Sequence, residues 1–285
     1  MVRLEAEVTR LVAIRALTRH TRDGARDVVA PDQDLVAVEA PVSLVVQPHT
    51  GDARPLGLLM RTPGHDEDLA AGVLATEGVI RHAADITRIA FEEGPDDDTA
   101  PRIRVVVGPR ADVHAISDRV GTATSACGLC GRLSMRQLDR AGATAAEPWR
   151  VTGTVIRALS GELGAAQHAF AETGGLHAAA VFTPDGRLVS VREDVGRHNA
   201  VDKIAGALLR QDALPARGLL LAVSGRVAYE IVQKAAMCGL PMIVAVGAPT
   251  DLAIDAARAT GITLVGFARD GRFNVYTHPG RITAE

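Results

Sequence analysis

Leu219-Leu220-Leu221-Ala222-Val223-Ser224-Gly225-Arg226 is the stretch on which the fold turns. Its first five residues are apolar without interruption. Such a run suits a strand covered on both faces, in the middle of a sheet. Ser224 supplies an N-cap, and the chain passes into a helix over 227–237, closed by Gly239. The pattern returns downstream. Residues 242–246 form a second buried strand, Pro249-Thr250-Asp251 opens a helix over 251–260, and strands over 262–267 and 273–277 are joined around Asp270-Gly271, a strong hairpin signal. Upstream, 177–182 is a strand, Pro184-Asp185-Gly186 a tight turn and 188–191 its partner. A helix over 199–209 follows, with Val201, Ile204, Ala205 and Leu208 on one face. Strands alternating with short helices imply a three-layer α/β domain.

The N-terminal part reads differently. A turn at 22–27 separates short strands, 35–38 and 42–46 are strands broken by Pro41, and 48–63 is turn-rich. A helix starts at His65, with acidic residues crowding its first turn and Leu69, Val73 and Leu74 at helical spacing. Strands over 86–91 and 103–107 flank an acidic connection, and a short helix runs near 111–120. Helical spacing recurs over 152–173, weakened by Gly161 and Gly164. The expected organisation is an N-terminal α+β module over 1–115, a flexible loop region over 116–150 and an α/β domain over 151–285.

Bulk properties narrow the class. The 285 residues are 47% hydrophobic and 23% charged, as in a globular protein, and only 3% aromatic, so the core must be aliphatic. A net charge of −3 argues against general nucleic-acid binding. Neither a secretory leader nor a membrane span is recognisable, and three cysteines make no disulfide framework. A cytoplasmic setting is expected.

Two of the three cysteines lie in Ser125-Ala126-Cys127-Gly128-Leu129-Cys130-Gly131, among small residues with no apolar period, which reads as a mobile loop. A pair at this spacing fits half of a zinc site, a redox pair, an inert pair or a sulfur-carrying nucleophile. No second such pair supplies the missing zinc ligands, and the glycine-flanked setting is unlike a redox pair at a helix start. No metal site is expected. Cys238, at a helix end, reads as a buried small hydrophobe.

Four further motifs stand at strand ends. Thr173-Gly174-Gly175-Leu176-His177 precedes a strand. Arg192-Glu193-Asp194-Val195-Gly196-Arg197-His198-Asn199 leads from a strand into a helix that carries Asp202 and Lys203; it reads equally as a solvated face or as a ligand site at a sheet edge. Ser224-Gly225-Arg226 can hold an anion, but it lacks the glycines of a nucleophile elbow, with Ala222 and Arg226 in their places. Phe267-Ala268-Arg269-Asp270-Gly271-Arg272 is a hairpin whose Phe and Arg side chains suit a base and a phosphate. Dinucleotide, P-loop and zinc-protease signatures are absent, and the zinc-deaminase pattern fails at Ala179.

Taken in order, these motifs and Cys127-Gly128-Leu129-Cys130-Gly131 resemble the FdhD family, the formate dehydrogenase accessory sulfurtransferases. The similarity runs from roughly residue 30 to the end, and 192–203 is its most specific part. The resemblance implies a cytoplasmic homodimer whose C-terminal domain is similar to the cytidine deaminase fold. It implies a sulfurtransferase that takes sulfur from an IscS-like cysteine desulfurase. The sulfur passes to the molybdenum or tungsten bis-guanine-dinucleotide cofactor of formate dehydrogenase, a bound substrate rather than a resident group. The family's persulfide-carrying cysteine falls on Cys127 and its partner on Cys130. Its guanine-nucleotide segment falls on Phe267, Ala268, Arg269, Asp270, Gly271 and Arg272, where Ala268 replaces a thiol that relatives can carry. The alternative expectation is a non-catalytic molybdenum-cofactor chaperone that docks formate dehydrogenase.

Overall fold

The computed structural model of the chain describes residues 11–23, 26–94, 99–116 and 149–284. Strands β1 (Val12–Asp23) and β2 (Arg26–Ala37) pair antiparallel as one long ribbon, longer than the short strands read from the sequence. Its base is anchored where Val12 and Ala37 meet Leu11, Ala169 and Leu176. Strands β3 (Ala40–Gln47), β4 (Arg54–Arg61), β5 (Ile86–Glu92) and β6 (Arg102–Val107) form a second sheet in the order β4-β3-β6-β5. Pro55 and Gly57 make β4 look like a turn in sequence. It is an edge strand, where proline removes no needed ladder bond. Alternate residues Val42, Leu44 and Val46 of β3 face α1 (Asp66–Thr76), which buries Leu69, Val73 and Leu74 against them. Of the helix expected near 111–120, the described part is a 3₁₀ turn at Val113–Ile116, and residues 117–120 lie outside the described residues.

In the second half, the short β7 (Val151–Thr152) pairs with β14 (Ile282–Thr283). The helical spacing over 152–173 resolves into α2 (Gly153–Ala166) and α3 (His168–Thr173), broken at Gln167. Then come β8 (His177–Phe182), β9 (Leu188–Asp194), α4 (Arg197–Arg210), β10 (Leu220–Val223), α5 (Tyr229–Met237), β11 (Met242–Ala245), α6 (Asp251–Thr260), β12 (Thr263–Arg269) and β13 (Arg272–Val275). The apolar runs behave as read: every residue of β10 and β11 is buried. The six strands lie in the order β13-β12-β11-β10-β8-β9, with β10, β11 and β12 mutually parallel. Helices cover both faces. Ile156, Leu159 and Leu163 of α2 pack on Ala180, Phe182, Leu220 and Val244. On the other face α4, α5 and α6 pack on Ala179, Val181, Leu221, Val223 and Ile243. None of the described helices is long and apolar enough to cross a membrane.

Helix α4 joins the two sheets. Its residues from His198 to Leu209 are all buried, because one side lies on the six-stranded sheet and the other on α1. The crossing is glycine on backbone. A Cβ on Gly72 would fall 1.7 Å from the Asp202 carbonyl oxygen, and one on Gly206 would fall 1.8 Å from that of Asp68. Any side chain at either position would force the helices apart.

Candidate functional site

The parallel strands β10, β11 and β12 reach one edge of their sheet, where β10 and β11 end on glycine-containing turns and β12 is irregular from Gly266 to Arg269. These segments stack backbone on backbone. Gly247 N–H donates to the Gly225 carbonyl at 3.2 Å, and Phe267 N–H donates to that of Gly247 at 3.1 Å. A Cβ on Gly247 would stand 2.7 Å from the Gly225 oxygen, and one on Gly266 would stand 2.8 Å from Pro249 Cδ. Close approach is thus the reason for glycine at both places.

The antiparallel neighbours bring more groups to this edge. His177 starts β8 and pairs with Asp194, which ends β9. Ser224 extends the β8–β10 ladder: its N–H donates to the Ala178 carbonyl, and its Oγ accepts from Ala178 N–H at 2.9 Å. It does not cap α5, whose N-cap is Ala228. A Cβ on Gly225 would lie 3.3 Å from His177 Nδ1 and 3.9 Å from Arg197 Cδ, so these two side chains flank the turn. Burial lowers the basicity of His177, Arg197 and Arg226 lower it further, and Asp194 opposes them. His198 is held down to about 3 by burial and then by Lys234, Arg197 and His177.

The segment 192–203 is largely a clamp. Asp194 and Lys203 form an ion pair at 2.7 Å. Asp194 also accepts from the N–H groups of Thr62 and Gly196 and from Asn199 Nδ2. Lys203 also donates to the Thr62 and Glu193 carbonyls. Asn199 reaches the Met60 carbonyl. Asp202 binds Lys234 and the Thr76 hydroxyl, and Arg192 binds Asp68. The Glu193 carboxylate accepts from the Ala169 and Phe170 N–H groups at the start of α3. This segment therefore ties the six-stranded sheet to α1, β4 and α3.

Comparison with known proteins gives the family. The sequence model of the FdhD/NarQ family matches residues 37–283. Proteins named sulfur carrier protein FdhD are similar over most of the chain. The one from Streptomyces coelicolor is 43% identical, with 92% of each chain covered. The Mycobacterium tuberculosis protein is 39% identical, covering 93% of this chain and 98% of its own. The chain belongs to the FdhD/NarQ family. A crystal structure from Desulfotalea psychrophila, of a protein named as a formate dehydrogenase accessory protein, has the same fold. Its TM-score is 0.72 at 24% identity, covering 96% of this chain and 100% of that one.

Within this FdhD/NarQ fold the residues singled out from sequence divide into three groups. Cys127 and Cys130 lie outside the described residues. Phe267 to Arg272 lie at the end of β12 and in its hairpin. Asp270 and Gly271 both have positive φ, 55° and 73°, the two-residue turn that an Asp-Gly pair favours. Phe267, half-buried, is also left-handed at φ 53°, within an irregularity of the β12–β13 register between Gly266 and Arg269. Arg269 and Arg272 are exposed, whereas the Ala268 side chain is buried in the core beneath α2. The third group was legible only as motif members: His177, Arg197, His198 and Arg226. Their shared signal in sequence is position, since each stands where a strand begins or has just ended. Among the described residues no cluster of three metal-ligating side chains forms. Cys238 is buried, and burial pushes its thiol up to about 12.

Proposed function

We propose that the chain is a cytoplasmic sulfur carrier and sulfurtransferase that serves formate dehydrogenase. It would receive sulfur from an IscS-like cysteine desulfurase and deliver it to the molybdenum or tungsten bis-guanine-dinucleotide cofactor, held as substrate. One observation carries the assignment to particular sulfurs. Cys238 is fully enclosed with its thiol raised to about 12, so it offers no thiolate near neutral pH. The chemistry of a sulfur carrier then falls on Cys127 and Cys130.

The Cys127 thiolate attacks the outer sulfur of the desulfurase persulfide. The donor's S–S bond breaks, the donor cysteine leaves as thiolate, and Cys127 carries the persulfide. At delivery the Cys130 thiolate attacks the Cys127 sulfur and closes a disulfide. Hydrosulfide is expelled towards the metal, and the thiol pair supplies both electrons. A cellular dithiol reduces the disulfide for the next cycle. The edge built by the turns after β10 and β11 and by the Gly266-Phe267 segment of β12 supports acceptor binding there. Open α/β sheets bind ligands beyond the carboxyl ends of their strands. Arg269 and Arg272 are suited to phosphate, and Phe267 to a guanine. The helix-covered mixed sheet supports kinship with the cytidine deaminase fold, without that chemistry. A homodimer is part of the same reading.

Cells lacking this gene product test the proposal. Wild-type chain should restore formate dehydrogenase activity and Cys127→Ala should not. Full restoration by Cys127→Ala would leave only a non-catalytic cofactor chaperone.

A further inference from the structure

The clamp at 192–203 leaves two ionisable side chains over. Arg192, Glu193, Asp194, Asp202 and Lys203 all spend their charge on bonds within the protein. Arg197 and His198 do not. Arg197 Nε is buried without a hydrogen-bond partner, and so is His198 Nε2, in a residue only 6% exposed. The Glu230 carboxylate stands 4.0 Å from that nitrogen, beyond hydrogen-bond reach. Buried polar atoms without partners are rare and point to a missing one.

Both residues open α4 at the carboxyl edge of the sheet, beside the Gly225 turn and His177. Arg226 follows in that turn and is exposed. Among the described residues neither Arg197 nor Arg226 forms an ion pair. Of the nearby carboxylates, Asp194 is already matched by Lys203 at 2.7 Å, and Glu230 stands 4.0 Å from His198 Nε2. The corner thus carries two guanidinium charges that no carboxylate among the described residues pairs, at the positive end of a 14-residue helix. Phe267 is two strand positions away, through the Gly225–Gly247–Phe267 backbone contacts, or about 10 Å at ordinary strand spacing.

We propose that Arg197, Arg226 and His177 form an oxyanion seat that takes the diphosphate of the acceptor's guanine nucleotide, with the base lying towards Phe267. This deepens the function proposed above and rests on it for the identity of the nucleotide. His177 binds as a hydrogen-bonding neutral ring, and the guanidinium groups supply the charge. The seat and the 267–272 hairpin then divide the ligand, one holding phosphate and the other the base end.

Calorimetry on the full chain with three probes, GDP, inorganic pyrophosphate and guanosine, separates the two readings. Arg197→Gln and Arg226→Gln should each weaken GDP and pyrophosphate about ten- to hundredfold, the effect of losing a charge-assisted hydrogen bond. Both should leave guanosine unchanged. Arg226 is exposed, so its variant remains informative if Arg197→Gln folds poorly. Absence of pyrophosphate binding, or equal binding by wild type and Arg226→Gln, overturns the seat. GDP binding that falls in Arg269→Gln but not in Arg197→Gln or Arg226→Gln also overturns it, while the nucleotide reading survives. Arginine-dependent pyrophosphate binding with no preference for GDP upholds the seat and removes the guanine assignment.

Discussion

Lys203 Nζ lies 2.7 Å from Asp194 Oδ2, and neither side chain has any solvent exposure. The pair sits where β9 ends and α4 is anchored, and both partners also bind Thr62, which directly follows β4. Its geometry fixes the edge on which Arg197 and His198 stand. A buried pair of this kind contributes less through attraction than it costs when half of it is removed. Lys203→Met, which strands a buried carboxylate, should therefore destabilise the fold by roughly 3–5 kcal/mol. Asp194→Asn, which keeps part of the hydrogen bonding, should cost less. Urea denaturation of both variants checks the order. A Lys203→Met protein as stable as wild type would contradict it.

The α1–α4 crossing makes a sterically sharper prediction. Gly72→Ala and Gly206→Ala each place a methyl inside van der Waals contact with the opposing backbone. Neither helix can yield locally, since both are packed on a sheet. A loss of about 3 kcal/mol or more is expected for each, the upper end for overpacking. Gly161→Ala, with nothing within 4 Å of its Cβ, should be neutral or slightly stabilising. Thermal melts of the three variants decide the matter.

Stability should fall in mild acid because of His198. Its imidazole has a folded value of about 3 against an ordinary 6.5. The unfolded chain therefore takes a proton that the folded chain refuses. The contribution is whole above about pH 6.5 and shrinks as pH falls towards 3, by about 2 kcal/mol between pH 6.5 and pH 5. His177, lowered by burial and by Arg197, acts in the same direction. Urea midpoints at the two pH values should drop more for wild type than for His198→Gln. Equal drops would contradict the assignment.

Cys238 should be silent. A thiol raised to about 12 and enclosed among core residues does not react with iodoacetamide at pH 8 in the folded protein. Peptide mapping should find it unlabelled until denaturant is added. Labelling at the rate of an exposed thiol would remove the argument that assigns sulfur chemistry to the other two cysteines.

The parallel strands and the Asp270-Gly271 hairpin were legible because continuous apolar runs and a dipeptide with positive φ are local signals. Strand β4 was not. Pro55 and Gly57 mimic a turn, and only the sheet order reveals an edge strand that tolerates them. The segment 192–203 was ambiguous for a different reason. Charged residues on a helix read as a solvated face, yet α4 is covered by a sheet on one side and by α1 on the other, so Asp202 and Lys203 are interior. Periodicity cannot register a helix buried all round. Nor can it separate clamping residues from Arg197 and His198, since that distinction lies in partners from residues 60–76 and from Lys234, far away in sequence.

In the proposed function, Cys127 carries the sulfur. Mass spectrometry of the intact chain, after incubation with an IscS-type cysteine desulfurase and cysteine, tests it most directly. The expected result is a mass gain of one sulfur atom, removed by a thiol reductant, kept in Cys130→Ala and lost in Cys127→Ala. The same gain undiminished in Cys127→Ala would contradict it.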